Sequence, residues 1–145
     1  MTSMKRTTRT ATTTIKAVLL TAAAVAGLAL TTTPAQAANC SLGGGVYICE
    51  YGVTTQNLPN GTTQQFVVGT DSAVWTRWTS TSGSWSGWQS MGGRAASKIY
   101  IHDGRFPDGD PWTFWVLYHG SDGYAHENGR KHDGNWTGWR VVDDF

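Results

Sequence analysis

Gly69-Thr-Asp-Ser-Ala-Val-Trp-Thr-Arg-Trp78, followed after a Thr/Ser/Gly segment by Trp85-Ser-Gly-Trp88-Gln-Ser-Met-Gly-Gly93, is the stretch that decides the fold class of this chain. Val74–Thr79 is rich in β-branched and aromatic residues and Ser80–Ser84 is a turn cluster, which together predict a strand–turn–strand unit. The unit occurs twice. A shift of 51 positions lays Gly69 on Gly120, Asp71 on Asp122, Gly83 on Gly134, Trp85 on Trp136, Gly87 on Gly138 and Trp88 on Trp139. A period near 50 residues is the size of one four-stranded propeller blade.

Working outward, Val46–Val53, Gln64–Val68, Ala73–Thr79 and Trp85–Ser90 read as strands of a first unit. Ser97–His102, Trp112–His119, Tyr124–Gly129 and Trp136–Val142 read as strands of a second. Asn57-Leu-Pro-Asn-Gly61 is a turn, because Asn-Gly favours positive φ and Pro59 blocks continued pairing. No stretch beyond the N-terminal leader carries apolar residues at helical spacing over three turns. The expectation is an all-β chain with two four-stranded antiparallel, blade-like sheets, repeats of about 43–93 and 94–145 within a single domain, 38–145.

Residues 1–37 read as a cleaved secretory signal peptide. Lys5, Arg6, Arg9 and Lys16 precede the uncharged, largely apolar run Ala17–Leu30, and Ala35-Gln36-Ala37 is a small-x-small cleavage site. The remainder holds seven basic and ten acidic residues, a formal charge of −3. Scattered charges of that balance offer no footprint for nucleic acid or for an anionic membrane surface. Export to an oxidising compartment makes a Cys40–Cys49 disulfide the default for the only two cysteines.

The run Phe66-Val-Val-Gly-Thr-Asp-Ser-Ala-Val-Trp75 with Trp85-Ser-Gly-Trp88-Gln-Ser-Met-Gly-Gly93 resembles the blade repeat of the PLL-like and tachylectin-like β-propeller lectins. Those repeat a Gly-Thr-Asp-Gly-x-Leu-Trp strand start and a Trp-Ser-x-Trp-x-x-Leu-Gly-Gly blade end. The second copy departs at His126, in the place of Trp75, and at Val141-Val142-Asp143, in the place of the Gly-Gly ending. The resemblance implies a propeller lectin and, because two blades do not close a ring, an oligomer, with a trimer of two-blade subunits favoured; the alternative is a monomeric two-sheet domain with a Trp-rich core.

Sugar rings present C–H faces, so an indole with polar groups at its rim is a physical solution to binding a neutral polyol. Candidate ligand-binding residues are Arg77, Trp78, Trp85 and Trp88 in the first unit, with Arg77 expected at a rim. In the second they are His126, Glu127, Trp136 and Trp139, alongside Asn128. Within each Trp-x-Gly-Trp, one indole is expected inside and one outside. His102-Asp103 and His132-Asp133 are adjacent pairs that point to opposite sides of a strand, and no nucleophile elbow or zincin run is present, so no catalytic residue is assigned. Asp103, Asp108 and Asp110 lack the ligand spacing of an EF-hand, and neither a metal nor a cofactor is expected. The functional expectation is a secreted carbohydrate-binding, lectin-like protein with glycan or glycoprotein partners. The alternatives are a secreted structural, protein-interaction or inhibitor domain and, behind it, a small hydrolase.

Overall fold

A computed structural model describes residues 37–103, 106 and 109–143. The expected signal peptide and Asp108 lie outside the described residues. The described part is all-β: ten strands in a two-stranded hairpin and two four-stranded antiparallel sheets. The hairpin is β1 (Asn39–Leu42) and β2 (Gly45–Ile48). Sheet 1 is the meander β3 (Thr54–Asn57), β4 (Thr63–Val68), β5 (Val74–Trp78), β6 (Gln89–Gly92). Sheet 2 repeats it as β7 (Tyr100–His102), β8 (Phe114–His119), β9 (Ala125–Arg130), β10 (Arg140–Val142).

The 51-residue register survives in space. β4 and β8, β5 and β9, and β6 and β10 begin 51 positions apart. Only the first connection of each sheet differs. Seven residues separate Gln56 from its partner Gln64, but twelve separate His102 from its partner Trp115, so sheet 2 has a first loop five residues longer.

The structure corrects several strand boundaries: in the second unit the predicted Ser97–His102, Trp112–His119 and Trp136–Val142 begin only at Tyr100, Phe114 and Arg140. The predicted strand Val46–Val53 is broken: β2 ends at Ile48, Cys49–Tyr51 form a 3₁₀ turn, and Gly52 adopts φ +64°, a conformation that a strand residue with a side chain avoids. The Cys40–Cys49 disulfide is present and ties this turn back to β1. The first strand of sheet 1 is instead the polar Thr54–Asn57. The predicted strand Trp85–Ser90 begins only at Gln89; Trp85 makes a single bridge to Thr79, as Trp136 does to Arg130.

The core lies between the two sheets. Phe66, Val68 and Val74 of sheet 1 meet Phe114, Val116 and Tyr118 of sheet 2, with the Phe66 and Phe114 rings edge to face at 6.1 Å. Side chains alternate along a strand, and Phe66 corresponds by the repeat to Leu117, which lies on the face of β8 turned away from this core. Unlike faces of two like sheets therefore pack together. Burial of the large side chains supplies the main stabilisation here, roughly 1.5–3 kcal/mol for each one fully buried.

Candidate functional site

Both sheets turn between their second and third strands on a Gly-x-Asp. Asp71 Oδ1 accepts from the Ala73 N–H at 3.0 Å and from the Trp75 indole at 3.1 Å; Asp122 Oδ1 accepts from the Tyr124 N–H at 3.1 Å, and its Oδ2 from His126 Nε2 at 2.9 Å. The glycines are required by close approach, since a Cβ on Gly69 would lie 2.5 Å from Asp71 Oδ1 and 2.6 Å from the Trp75 nitrogen. His126 thus replaces Trp75 while keeping the ring-nitrogen bond to the aspartate four residues back. The Tyr124 N–H is the first cause holding the Asp122 carboxyl below the usual carboxylate range, with His126 adding to it.

Each sheet also ends on a clamp. The Trp88 indole donates to the Leu42 carbonyl at 2.8 Å, and the Trp139 indole to the Met91 carbonyl at 2.7 Å. The hairpin thereby stands to sheet 1 as the last strand of sheet 1 stands to sheet 2.

The predicted ligand residues fall into four places. Trp78, 37% exposed, and Trp136 line a cleft of about 640 Å³ between the two sheets. The first unit contributes Gln64 and Thr76 from its sheet and Thr62 from the loop before β4; the second contributes Asn128 and Arg130 from β9 and Trp112 from the loop before β8. Trp136 reaches inward, edge to face with Phe66 and Phe114 at 6.0 Å each. Arg130 donates to the Trp112 carbonyl at 2.8 Å, and burial pushes its pKa down while Asp133 and Asp110 oppose that shift. Trp112 was missed by the sequence analysis because it stands in the longer loop, outside the repeat.

Arg77, Trp85 and Trp88 gather on the opposite face of sheet 1. Arg77, expected at a rim, is 6% exposed: its guanidinium lies 4.2 Å from the Trp85 ring and 4.8 Å from the Trp88 ring and donates through Nε and Nη2 to Gln65 Oε1 at 2.9 and 2.8 Å. Of the first Trp-x-Gly-Trp, Trp85 is 42% exposed and Trp88 is half-buried. Glu127 is fully buried, paired with Arg140, whose guanidinium sits over the Trp115 ring at 4.6 Å. His126 and Trp139 line a separate recess at the turn end of sheet 2.

The chain matches no family model and no curated protein.

The His–Asp neighbours do not pair with each other in the second copy: His132 Nδ1 bonds Asp110 at 2.6 Å, while Asp133 holds Asn135. Asp110 is held below the usual carboxylate range, first by the Trp112 N–H and then by His132. Among the described residues no group of three or more His, Cys, Asp or Glu side chains is placed to hold a metal ion. No helix of the described residues is long and apolar enough to cross a membrane.

Proposed function

We propose that this is a secreted, lectin-like protein that binds uncharged sugar residues in the cleft between its two sheets. The observation that carries the reading is the composition of that cleft. Indoles of Trp78, Trp112 and Trp136 supply flat apolar surface, and Gln64, Asn128 and the threonine hydroxyls supply donors and acceptors without net charge. Arg130, which donates to the Trp112 and Lys131 carbonyls, is offset in the lining by the Asp133 carboxylate, so the two charges balance.

A propeller-type assembly belongs to the same proposal. Unlike-face packing of the two sheets supports it, since such contacts continue from one unit to the next and close when the rotation allows. Arg77 and Trp85 occupy on sheet 1 the positions that Asn128 and Trp136 occupy in the cleft. The hairpin β1–β2 covers Arg77, and in a ring of three copies the part of this half-site left exposed, Trp85, would face a neighbouring copy. The Cys40–Cys49 disulfide and the leader-like residues 1–37 support export.

The test is Trp78→Ala, checked for folding by circular dichroism and then measured on immobilised neutral glycans. Loss of one aromatic platform is worth on the order of 1–2 kcal/mol, so roughly a tenfold weaker monovalent affinity is expected. A folded variant that binds as well as the parent removes the cleft from the proposal, and a parent that binds no glycan moves the reading to a protein-interaction domain. Light scattering decides the ring independently of the sugar.

A further inference from the structure

The second sheet carries an aromatic recess that the first does not, at the end of the sheets opposite to the cleft. Tyr118 stands where Val67 stands, and His126 where Trp75 stands. The imidazole stacks on the phenol ring at 5.0 Å and 12°, and the Trp139 ring meets the phenol edge to face at 4.7 Å. With Arg94, Ser121 and Asp122 these rings line a recess of about 510 Å³.

Its hydrogen-bonding groups are unbalanced toward donors. Tyr118 is 2% exposed; its oxygen accepts from the Arg94 N–H at 3.0 Å, and among the described residues nothing accepts its proton. No acceptor among the described residues takes the Arg94 guanidinium either. The one carboxylate acceptor of the recess, Asp122, is already engaged by the Tyr124 N–H and His126, while the Trp139 indole donates away to the Met91 carbonyl. Burial pushes the Tyr118 pKa up, so the phenol keeps its proton and remains a donor.

We propose that this recess binds a carboxylate-bearing sugar, of the uronic-acid class, with its ring against Trp139 and its carboxylate on the Tyr118 hydroxyl and the Arg94 guanidinium. A planar guanidinium fork and a phenol are suited to the two oxygens of a carboxylate. The site shares no residue with the cleft and does not depend on it.

The experiment is an NMR titration of the exported chain with glucuronate and, in parallel, with glucose, which has the same ring with an alcohol in place of the acid. Glucuronate is expected to shift the Trp139 indole and His126 ring signals saturably, and glucose to leave them in place. Tyr118→Phe and Arg94→Ala are each expected to weaken glucuronate binding roughly tenfold, as for loss of a hydrogen bond to a charged group. Trp78→Ala should leave it unchanged. Should Tyr118→Phe fail to fold, Arg94→Ala, at an exposed position, carries the test alone. Glucuronate binding that ignores Arg94→Ala, equal shifts from glucose, or no shift at all would each overturn the proposal. Loss of glucuronate binding in Trp78→Ala would do so as well, by placing the ligand in the cleft.

Discussion

Sheet 1 and sheet 2 share a register, a strand order and the same turn and clamp bonds, yet the corresponding tryptophans meet different fates. Trp136 is wedged between the sheets against Phe66 and Phe114, while Trp85, its counterpart, is 42% exposed with Arg77 laid across it. The cause is the neighbour. The face that carries Trp136 and Asn128 is met by sheet 1, whereas the corresponding face of sheet 1 is met by the disulfide-tied hairpin, where a Cβ on Gly45 would come within 2.6 Å of the Trp88 ring. An indole that finds an apolar partner becomes core, and one that does not recruits a cation over its ring. The comparison shows that a repeat in sequence conserves backbone bonds more faithfully than it conserves side-chain roles.

The largest expected effect tests the hairpin as the substitute for a neighbouring sheet. Replacing both Cys40 and Cys49 by Ser should cost somewhat under ~3 kcal/mol by the loop-closure relation for so short a segment. The loss should be read as a lower midpoint in guanidinium unfolding, with greater solvent access around Arg77 and Trp85 in hydrogen exchange and none around Trp136. Unchanged stability would mean that the hairpin holds its place without the bridge.

A second test uses acid, against the turn and loop aspartates of the second unit. Asp110, Asp122 and Asp133 all belong to the second unit and all have lowered pKa values, caused first by the backbone N–H groups of Trp112, Tyr124 and Asn135. A depressed folded-state pKa contributes stability that is complete above the unfolded value of about 3.9 and is lost as pH falls through the folded value. Melting temperature should therefore drop between about pH 4 and pH 2, and Asp122→Asn should make that drop shallower. An unaltered slope in the variant would show that the turn aspartate takes no part. All three side chains are solvent-accessible enough that screening keeps each contribution modest.

The smallest effect sharpens the match between the two Gly-x-Asp turns. Ser72 holds φ +65° at the position where the second turn has Gly123 at φ +84°. Left-handed backbone costs a residue with a side chain about 1–2 kcal/mol, and glycine's extra freedom in the unfolded chain returns roughly 0.5–1 of that. Ser72→Gly should raise stability by up to about 1 kcal/mol, measurable as a small upward shift in thermal midpoint. A lower midpoint would mean that the serine makes a contribution beyond its backbone.

Where sequence patterns misled, the reason was local. Apolar alternation from Val46 through Ile48 suggested a strand running to Val53, but the Cys49–Tyr51 turn and Gly52 interrupt it. Thr54–Asn57 carries no large apolar residue to announce a strand and is held by pairing to β4 and by the Thr54 hydroxyl donating to the Ile99 carbonyl at 2.7 Å. Trp78 was identifiable as a candidate from residue type at a strand end, and Trp136 from residue type and repeat position; that they line one cleft was not.

The sequence by itself determined the all-β class, the two-fold repeat and the pairing of the only two cysteines, because period-two alternation, turn residues at a constant offset and a cysteine count are local or one-dimensional signals. Tertiary structure alone decided which sheet face is covered and by what. Alternation assigns side chains to two faces without saying what lies over either, so Arg77, Glu127 and Tyr118 became buried polar groups, and Trp85 an exposed indole, only when the sheets and the hairpin packed.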